Sequence, residues 1–236
     1  VEYAFLEHCL REDLNETAQR VMAVIRPVKL TITNYPEGQS ETFQVENNPN
    51  DPGAGTRPVT FSRNLYVEAE DFMETPIPKY KRLYPGGPEC RLKGAYLIKC
   101  TGCVKDEAGN VVEILAEYDP DSSGGNPADG RKVKGATIHW VDAATAVDAQ
   151  VRLYDNLFAD ENPDGGDKDF LDCLNPGSLE VLEGCKLEAA LASAQPADRF
   201  QFLRLGYFCA DSKDSKPGCL VFNRAVSLKD GFKPGK

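Results

Sequence analysis

Seven basic side chains lie within residues 77–105, a stretch in which Glu89 is the only acid. Three tyrosines, at positions 80, 84 and 96, are interleaved with them. Lysine and arginine can neutralise phosphates while aromatic rings stack on unpaired bases, so this composition is typical of a surface that holds single-stranded RNA. A solvated basic face has the same composition, so charge alone leaves both interpretations open. The basic residues are Lys79, Lys81, Arg82, Arg91, Lys93, Lys99 and Lys105.

The other patterns that could support chemistry are incomplete. Residues 160–165 (DENPDG) match the first half of a calcium-binding loop, but the twelfth position is Leu171, where such loops carry a bidentate glutamate. The CTGC run at residues 100–103 has a spacing found in zinc and redox sites, yet the chain has no second such pair. His139 stands beside Trp140 in a strand-like run, which favours a core imidazole over a catalytic one. We therefore expect no metal site and no catalytic residue in this chain.

The overall composition excludes a protein that is coated in basic residues. The 236 residues include 27 Lys and Arg and 37 Asp and Glu, for a net charge of −10. On global charge alone, nucleic acid is a poor partner, but salt screens acids that lie more than about 8–10 Å from a local basic patch. Acidic residues are concentrated at residues 155–172, outside the basic segment. The two signs of charge are therefore segregated along the sequence.

Nothing in the sequence predicts a membrane or secretory protein. No apolar run approaches the roughly 18–20 residues that cross a bilayer, and the start of the chain lacks a signal sequence. The eight cysteines could form four disulfides in a secreted protein, but their low density and their position in strand-like runs favour reduced thiols. These features predict a soluble, cytoplasmic protein with no membrane partner. Because Val1 is not methionine and stands in a helix-like stretch, we expect the chain to be part of a longer protein.

The residues that could do chemistry must be positioned mainly by short strands. Apolar residues at helical spacing (Tyr3, Leu6 and Leu10) predict one helix at the start of the chain. From Val21 onward, short β-rich runs alternate with turn residues, and the strongest boundary is the DPDSSGGNPADG stretch at residues 119–130. This spacing predicts a mainly β fold of two consecutive antiparallel β-barrels preceded by a short helical connector. The predicted units are residues 1–20, 21–130 and 131–236, with strands free to cross between the barrels.

Several ordered runs of residues along the chain resemble a known family. The longest is DGRKVKG at residues 129–135, followed by IHWV at 138–141 and RLYD at 152–155. Together with shorter runs, these resemble the C-terminal half of glutaminyl-tRNA synthetases, with the archaeal and eukaryotic glutamyl-tRNA synthetases as the nearest alternative. The shorter runs are EDLN at 12–15, RVMAV at 20–24, PVKL at 27–30, YKRL at 80–83, FQF at 200–202, GYF at 206–208 and VFNR at 221–224.

The resemblance implies a pair of β-barrels that bind the anticodon loop of glutamine tRNA. In the whole enzyme, such barrels are attached to a catalytic domain of the same polypeptide, which binds ATP with magnesium through HIGH-like and KMSKS-like motifs. Neither motif occurs in this chain. We therefore expect the chain to hold no cofactor and to have no ligase activity by itself. An alternative from a different class is an acidic, secreted, all-β module that uses calcium loops and disulfides.

Carried over residue by residue, the resemblance assigns a pocket for the middle base of the anticodon, a uridine. The pocket residues are Arg20, Gln201 and Arg204. Their chemistry fits uracil, because glutamine can both donate to and accept from the edge of the base while arginine donates to its carbonyl oxygens. Gln201 and Arg204 are three residues apart and would face opposite sides of a regular strand, so a bulge or a strand end is required between them.

The resemblance also assigns basic and amide side chains to the other two anticodon bases and to the flanking turns. Lysine stands at position 93 where the resemblance leads us to expect arginine, which replaces a bidentate donor by a point charge. Lysine likewise stands at position 79 in place of glutamine. The assigned residues are Lys81 and Arg82 beside the third base, Arg91 and Lys93 beside the first base, Lys79 as a further basic residue, and Asn15 and Asn50 in the flanking turns.

Overall fold

The computed structural model describes residues 3–160, 162–165 and 169–229. One helix, α1 (Tyr3–Thr17), precedes a series of short strands. The half calcium loop at residues 160–165 and the acidic segment at 155–172 lie partly outside the described residues. In chain order the strands are β1 (Gln19–Val21), β2 (Ala23–Val24), β3 (Pro27–Ile32), β4 (Ser40–Glu46), β5 (Thr56–Ser62), β6 (Asn64–Glu68), β7 (Cys90–Leu92), β8 (Leu97–Lys105), β9 (Val111–Tyr118), β10 (Thr137–Ile138), β11 (Val141–Asp142), β12 (Val147–Tyr154), β13 (Leu179–Leu187), β14 (Arg199–Phe202), β15 (Gly206–Ala210) and β16 (Leu220–Val226).

Within the described ranges, these strands form two barrel-like sheets and the separate β4–β5 hairpin. The strand order is β10-β7-β8-β9-β3-β6-β11 in the first sheet and β1-β14-β15-β16-β12-β13-β2 in the second sheet. In each sheet the two edge strands are consecutive in the chain, joined by His139 and Trp140 in the first sheet and by Met22 alone in the second. So short a link holds the two edges of a sheet close together, which curls the sheet toward a barrel. The predicted mainly β fold with two barrels is confirmed.

The two sheets exchange strands in both directions. Residues 19–24 precede the first sheet in the chain but pair in the second sheet, and residues 137–142 return to complete the first sheet. The pairing is also mixed, because β1–β14, β3–β9, β7–β10 and β12–β16 are parallel. Each parallel pair joins strands that are far apart in sequence, as parallel pairing requires. The division of the chain into units 21–130 and 131–236 stays a prediction.

A single extended segment, Val21 to Ile25, contributes to the cores of both sheets. Val21, Ala23 and Ile25 belong to the core of the second sheet, whereas Met22 and Val24 belong to the core of the first. All five residues are at most 5% exposed. Because side chains alternate along a strand, one stretch of five apolar residues can fill two cores at once. This shared segment therefore joins the two sheets by apolar packing.

Two buried carboxylates bind the backbone of the shared segment. Glu188 accepts a hydrogen bond from the Met22 N–H at 2.9 Å, and it also forms a bidentate ion pair with Arg57 of the β4–β5 hairpin. Glu68 accepts from the Ile25 and Arg26 N–H groups at 2.8 and 3.0 Å. These contacts satisfy polar groups that would otherwise be buried without a partner. The junction of the two sheets is therefore held by buried charges as well as by apolar contacts.

Helix α1 packs on the second sheet through its C-terminal half. Leu10, Leu14 and Ala18 are four residues apart and pack with Tyr207 and Val226. Residues 3 and 6, which belong to the predicted apolar stripe, are exposed. The buried stripe thus lies further along the helix than the sequence spacing indicates. In the described part of the chain, no helix is long and apolar enough to span a lipid bilayer.

The cysteines are free thiols in three different environments. Cys90, Cys100 and Cys185 are buried, whereas Cys9 and Cys219 are exposed and the others are intermediate. Burial raises the pKa of the Cys90 and Cys185 thiols to about 12 and the pKa of Cys100 to about 11. Each of these values is above the ordinary thiol pKa, so the reactive thiolate is scarce at neutral pH. The predicted buried thiols are therefore found at three of the eight positions.

The buried pair Arg57–Glu188 leads to a stability prediction. The two side chains are 7% and 4% exposed, so Glu188→Gln leaves a buried guanidinium without its counter-charge. We expect the free energy of unfolding to fall by about 3–5 kcal/mol, measured by urea titration. The matched control is Glu180→Gln, which breaks the exposed Arg26–Glu180 pair and should cost about 1 kcal/mol or less. Equal losses in the two variants would contradict a special role for the buried pair.

The thiol environments lead to a second prediction. In the native protein at pH 8, Cys9 and Cys219 should be alkylated by iodoacetamide first, and Cys90, Cys100 and Cys185 should be alkylated last because they are buried and their pKa is raised. Peptide mapping by mass spectrometry after timed quenching gives the order. Unfolding in guanidinium is the control, since all eight thiols should then react alike. Early labelling of Cys185 in the folded chain would refute the described packing.

Candidate nucleic-acid interface

Arg20 and Gln201 are brought together by the parallel pairing of β1 with β14. The two residues are direct partners in the register, and the Arg20 Nε donates to the Gln201 Oε1 at 2.7 Å. The Arg20 Nη2 donates to the Asn15 Oδ1 at 2.9 Å. A guanidinium that is bound on two sides has little rotational freedom left, so its orientation is fixed before any ligand binds. The end of helix α1 and two strands of the second sheet therefore position this arginine.

A loop of the β4–β5 hairpin supports the same cluster. The Asn50 Nδ2 donates to the Asn15 carbonyl oxygen at 3.3 Å, and buried Asn48 donates to the Glu16 carbonyl oxygen at 2.7 Å. Carbonyl oxygens at a helix C-terminus have no partner within the helix, so these amides satisfy the end of α1. The structure thus places Asn15 and Asn50 beside Arg20. The Asn15 side chain accepts from the Arg20 guanidinium, and the Asn50 side chain donates to the Asn15 backbone.

A cleft of about 320 Å³ opens between Arg20, the β4–β5 hairpin and the turn after β7. Lys93 and Leu203 lie on its walls, and Glu46 contributes a carboxylate. Lys93 is exposed and takes part in no ion pair among the described residues. Apolar walls with a few cations and hydrogen-bonding groups are what an unstacked base requires. The cleft can therefore accept a planar polar group beside the Arg20 guanidinium.

Arg91 lies on the same outward face of the first sheet as Lys93. The two residues are two apart in sequence, and the intervening Leu92 is buried. The Arg91 Nε donates to the Gly125 carbonyl oxygen, and the Nη1 donates to the Thr137 Oγ1 at 3.5 Å. These bonds leave donors of a partly exposed guanidinium directed to solvent. Of the pair assigned to the first base, Lys93 therefore lines the cleft, and Arg91 is two residues before it in sequence.

The side-chain partners of Arg204 lie outside the Arg20–Gln201 cluster. β14 ends at Phe202, so the strand end required by the sequence spacing is present, and Arg204 occupies the turn with a φ of 70°. Its Nη1 and Nη2 donate to the two carboxylate oxygens of Asp71 at 2.7 and 2.6 Å. Burial lowers the pKa of Arg204, but the hydrogen bonds with Asp71 outweigh it, and the net pKa lies above the ordinary value. Arg204 thus crosses from the second sheet to a carboxylate of the first.

The segment at residues 79–83 meets the same carboxylate. The Arg82 Nη1 is 3.2 Å from the Asp71 Oδ1 and donates to the Glu70 carbonyl oxygen at 3.3 Å. Tyr80 lies beside these groups and donates to the same Glu70 oxygen, and burial raises its pKa to about 12. Lys79 and Lys81 are exposed, and Lys79 has a φ of 67°. Two arginines therefore share one buried acid, and two lysines flank them in solvent.

His139 and Trp140 connect the two groups of basic residues. The Trp140 Nε1 donates to the Lys93 carbonyl oxygen at 3.1 Å, and the His139 Nδ1 lies 3.4 Å from the Arg204 Nη1. Because a guanidinium only donates, the Nδ1 accepts and the Nε2 carries the proton toward Glu68, 3.3 Å away. The predicted core environment of His139 is found, since the residue is 1% exposed. Lys93 and Arg204 therefore contact adjacent residues of the link that closes the first sheet.

Comparison with known proteins identifies the family. A family model described as the anticodon-binding domain of class I tRNA synthetases (E and Q) matches residues 18–119, and a second model with the same description matches residues 137–211. The chain belongs to this family. The two matched regions cover most of the described strands and leave out α1 and β16. The alternative of a secreted calcium-binding module is therefore wrong.

Relatives of this anticodon-binding chain carry the name glutamine–tRNA ligase. One from Clostridium kluyveri is 52% identical over 234 residues, which cover 99% of this chain and 42% of the relative. Those from Pseudomonas putida and Bordetella pertussis are 53% and 54% identical, cover 98% of this chain, and are matched over 41% and 39% of their own length. The chain thus spans about two fifths of the length of the relatives it matches.

In the DGRKVKG run of the anticodon-binding chain, the single arginine makes structural ion pairs. Arg131 pairs with Glu89, Asp119 and Asp129, so its charge is balanced by three carboxylates. The run ends at Gly135. A larger residue does not fit there, because a Cβ would lie 2.2 Å from the Glu89 carbonyl oxygen. The run therefore ties the loop after β9 to the start of β7.

Sequence reasoning misses Asp71 in this interface. Asp71 lies among the acids of residues 68–74, which read in the sequence as an ordinary acidic turn. Its partner Arg204 is 133 residues away, so no local pattern marks the contact. The composition of residues 77–105 also overstates the number of cations that are free to bind RNA, because Lys105 pairs with Glu74. Only the folded arrangement distinguishes the cations that face solvent from those that are bound to acids.

Proposed function

We propose that this chain binds the anticodon loop of glutamine tRNA as the anticodon-binding part of a glutamine–tRNA ligase. The observation that carries the proposal is the Arg20–Gln201 contact at the edge of a cleft that it shares with Lys93. The names of the relatives support the amino-acid specificity. The cytoplasm is the expected location, since tRNA is charged there.

The Arg20–Gln201 pair suits the middle uridine of the anticodon. The Gln201 oxygen accepts from Arg20 and has a second lone pair, which can accept from the uracil N3–H. Among the described residues, the Gln201 amide nitrogen takes part in no hydrogen bond, so it can donate to a uracil carbonyl oxygen. Because Arg20 fixes the amide, the donor and acceptor sides of Gln201 have defined directions. If that uracil oxygen is O4, a cytosine presents the opposite pattern, with N3 as an acceptor and the 4-amino group as a donor, and would leave both groups without partners.

The glutamine and glutamate anticodons differ at the third base. Glutamine codons begin with C and glutamate codons with G, so the third anticodon base is G or C respectively, whereas both anticodons have U in the middle. Arginine can donate to the O6 and N7 acceptors of guanine, which cytosine lacks. Arg82, which lies beside Asp71, and the exposed Lys81 next to it in sequence are the proposed readers of this base.

The rest of the ligase reaction belongs to other parts of the polypeptide. The relatives extend well beyond the matched region, and we propose that a catalytic domain of the same polypeptide binds ATP with magnesium, glutamine and the acceptor end of the tRNA. The present residues would bind the anticodon and bias the whole enzyme toward the cognate tRNA. In the described ranges, no group of histidine, cysteine and acidic side chains is arranged to hold a metal ion.

Changing the middle anticodon base tests the Arg20–Gln201 pocket. An RNA stem-loop with the glutamine anticodon should bind roughly 10–150-fold more tightly than the same stem-loop with C in the middle, because two hydrogen bonds with charged or fixed partners are lost. Gln201→Leu should abolish this preference, and Lys105→Ala should retain it, since Lys105 is paired with Glu74. Fluorescence anisotropy at fixed salt gives the dissociation constants. A preference that survives in Gln201→Leu would remove Gln201 from the pocket.

Exchanging the third base separates glutamine from glutamate specificity. We expect the G-to-C change to weaken binding by about tenfold in the native chain, and Arg82→Ala to reduce this preference to near unity. Lys99→Ala is a matched control on an exposed cation outside the assigned set. Tighter binding of the stem-loop with C would favour the glutamate alternative, to which the family models also apply.

A further inference from the structure

Asp71 is a fully buried carboxylate that binds two guanidiniums from different sheets. It ends a short 3-10 turn, Ala69–Asp71, and is 0% exposed. Arg204 approaches it bidentately from the second sheet, and Arg82 approaches the Oδ1 from the segment at residues 79–83. The side chains of Arg204 and Arg82 are 30% and 39% exposed, so part of each guanidinium faces solvent.

We propose that Asp71 is a positioning residue for base recognition, which sets the orientation of Arg204 and Arg82 together. This inference rests on the proposed function and on the assignment, implied by the family resemblance, of Arg204 to the middle base and Arg82 to the third base. One carboxylate then supports the reading of two adjacent bases. Neutralising it should impair recognition of both bases at once, although Asp71 itself is too buried to touch RNA.

Hydrogen-bond geometry explains why a carboxylate is needed. A guanidinium has five N–H donors in one plane, and a bidentate pair fixes that plane while leaving the remaining donors free for a ligand. The Arg204 Nη1 also approaches the His139 Nδ1 at 3.4 Å, which further restricts its rotation. Arg82 has a second partner in the Glu70 carbonyl oxygen. Both side chains are therefore ordered before RNA binds, which reduces the entropy cost of binding.

Charge gives a second reason why a carboxylate is needed at position 71. Two guanidiniums and the one carboxylate that they share have a net charge of +1, and without the carboxylate the two cations would repel one another at close range. Asp71 is shielded from solvent by its partners, so its own charge repels phosphate less than an exposed acid would. A cationic site for RNA can thus be built around an acid.

The sign of one substitution separates positioning from simple electrostatics. Asp71→Asn removes a negative charge near the RNA, which by charge alone should tighten binding. The positioning role predicts the reverse: weaker binding of the glutamine anticodon stem-loop by about tenfold, with the preferences at the middle and third bases both reduced to near unity. Glu70→Gln is the matched control, since it removes an exposed negative charge from the neighbouring residue and should leave both preferences intact.

Two further variants keep the test independent of folding. Asp71→Glu retains the charge but lengthens the side chain, so it should also lower both preferences. Arg204→Lys keeps Arg82 on Asp71 and should lower the middle-base preference alone, because lysine cannot form the bidentate pair. Melting temperature and circular dichroism are measured on every variant, and binding is compared only among folded ones.

The outcomes distinguish this inference from the proposed function. A native chain that binds all stem-loops equally would overturn the proposed function and, with it, the role of Asp71. A native chain that discriminates, together with folded Asp71→Asn and Asp71→Glu variants that discriminate equally well, would overturn the positioning role alone. Loss of both preferences in either folded variant, with Glu70→Gln unchanged, supports it.

Discussion

The fold depends on the shared segment from Val21 to Ile25, whose alternate side chains enter two different cores. Because every side chain of the segment is buried, its backbone polar groups have no access to water and must find partners in the protein. Glu188 and Glu68 provide such partners, and each of them has a second bond to a cation or an imidazole from another element. The relative position of the two sheets is therefore set by specific bonds as well as by non-directional apolar packing.

The candidate interface is built on the same junction. Arg20 immediately precedes the shared segment, and Arg204 reaches from the second sheet to Asp71 in the first. A net charge of −10 is compatible with such a surface because three acids at the junction, Glu68, Asp71 and Glu188, are buried and bound to arginine, histidine or backbone N–H groups. Lys79, Lys81 and Lys93 remain exposed there. The sign of the local field is thus set by which charges are buried, and the net charge of the chain gives no guide to it.

Residue types and spacing predict the strands well and the long-range contacts poorly. The uninterrupted apolar run VMAVI indicates a strand buried on both faces, but its composition cannot show that the two faces belong to different cores. The spacing of Gln201 and Arg204 requires a bulge or strand end between them, and β14 ends at Phe202. The resemblance assigns both residues to one pocket, whereas the hydrogen-bond contacts of Arg204 are with Asp71 and His139. Likewise, the closure of the first sheet by residues 137–142 depends on pairing with strands far away in sequence, and no local pattern specifies it.

Hydrogen–deuterium exchange of the chain with and without the glutamine anticodon stem-loop tests most directly whether RNA is read at the junction of the two sheets. Protection on binding should occur in both sheets at once, at residues 15–20, 44–50, 79–83, 91–94 and 200–205. Exchange should not change at residues 106–110 and 180–184, which are turn or strand segments outside the interface. Protection confined to one sheet, or centred on the turn at residues 106–110, would contradict RNA binding at the junction.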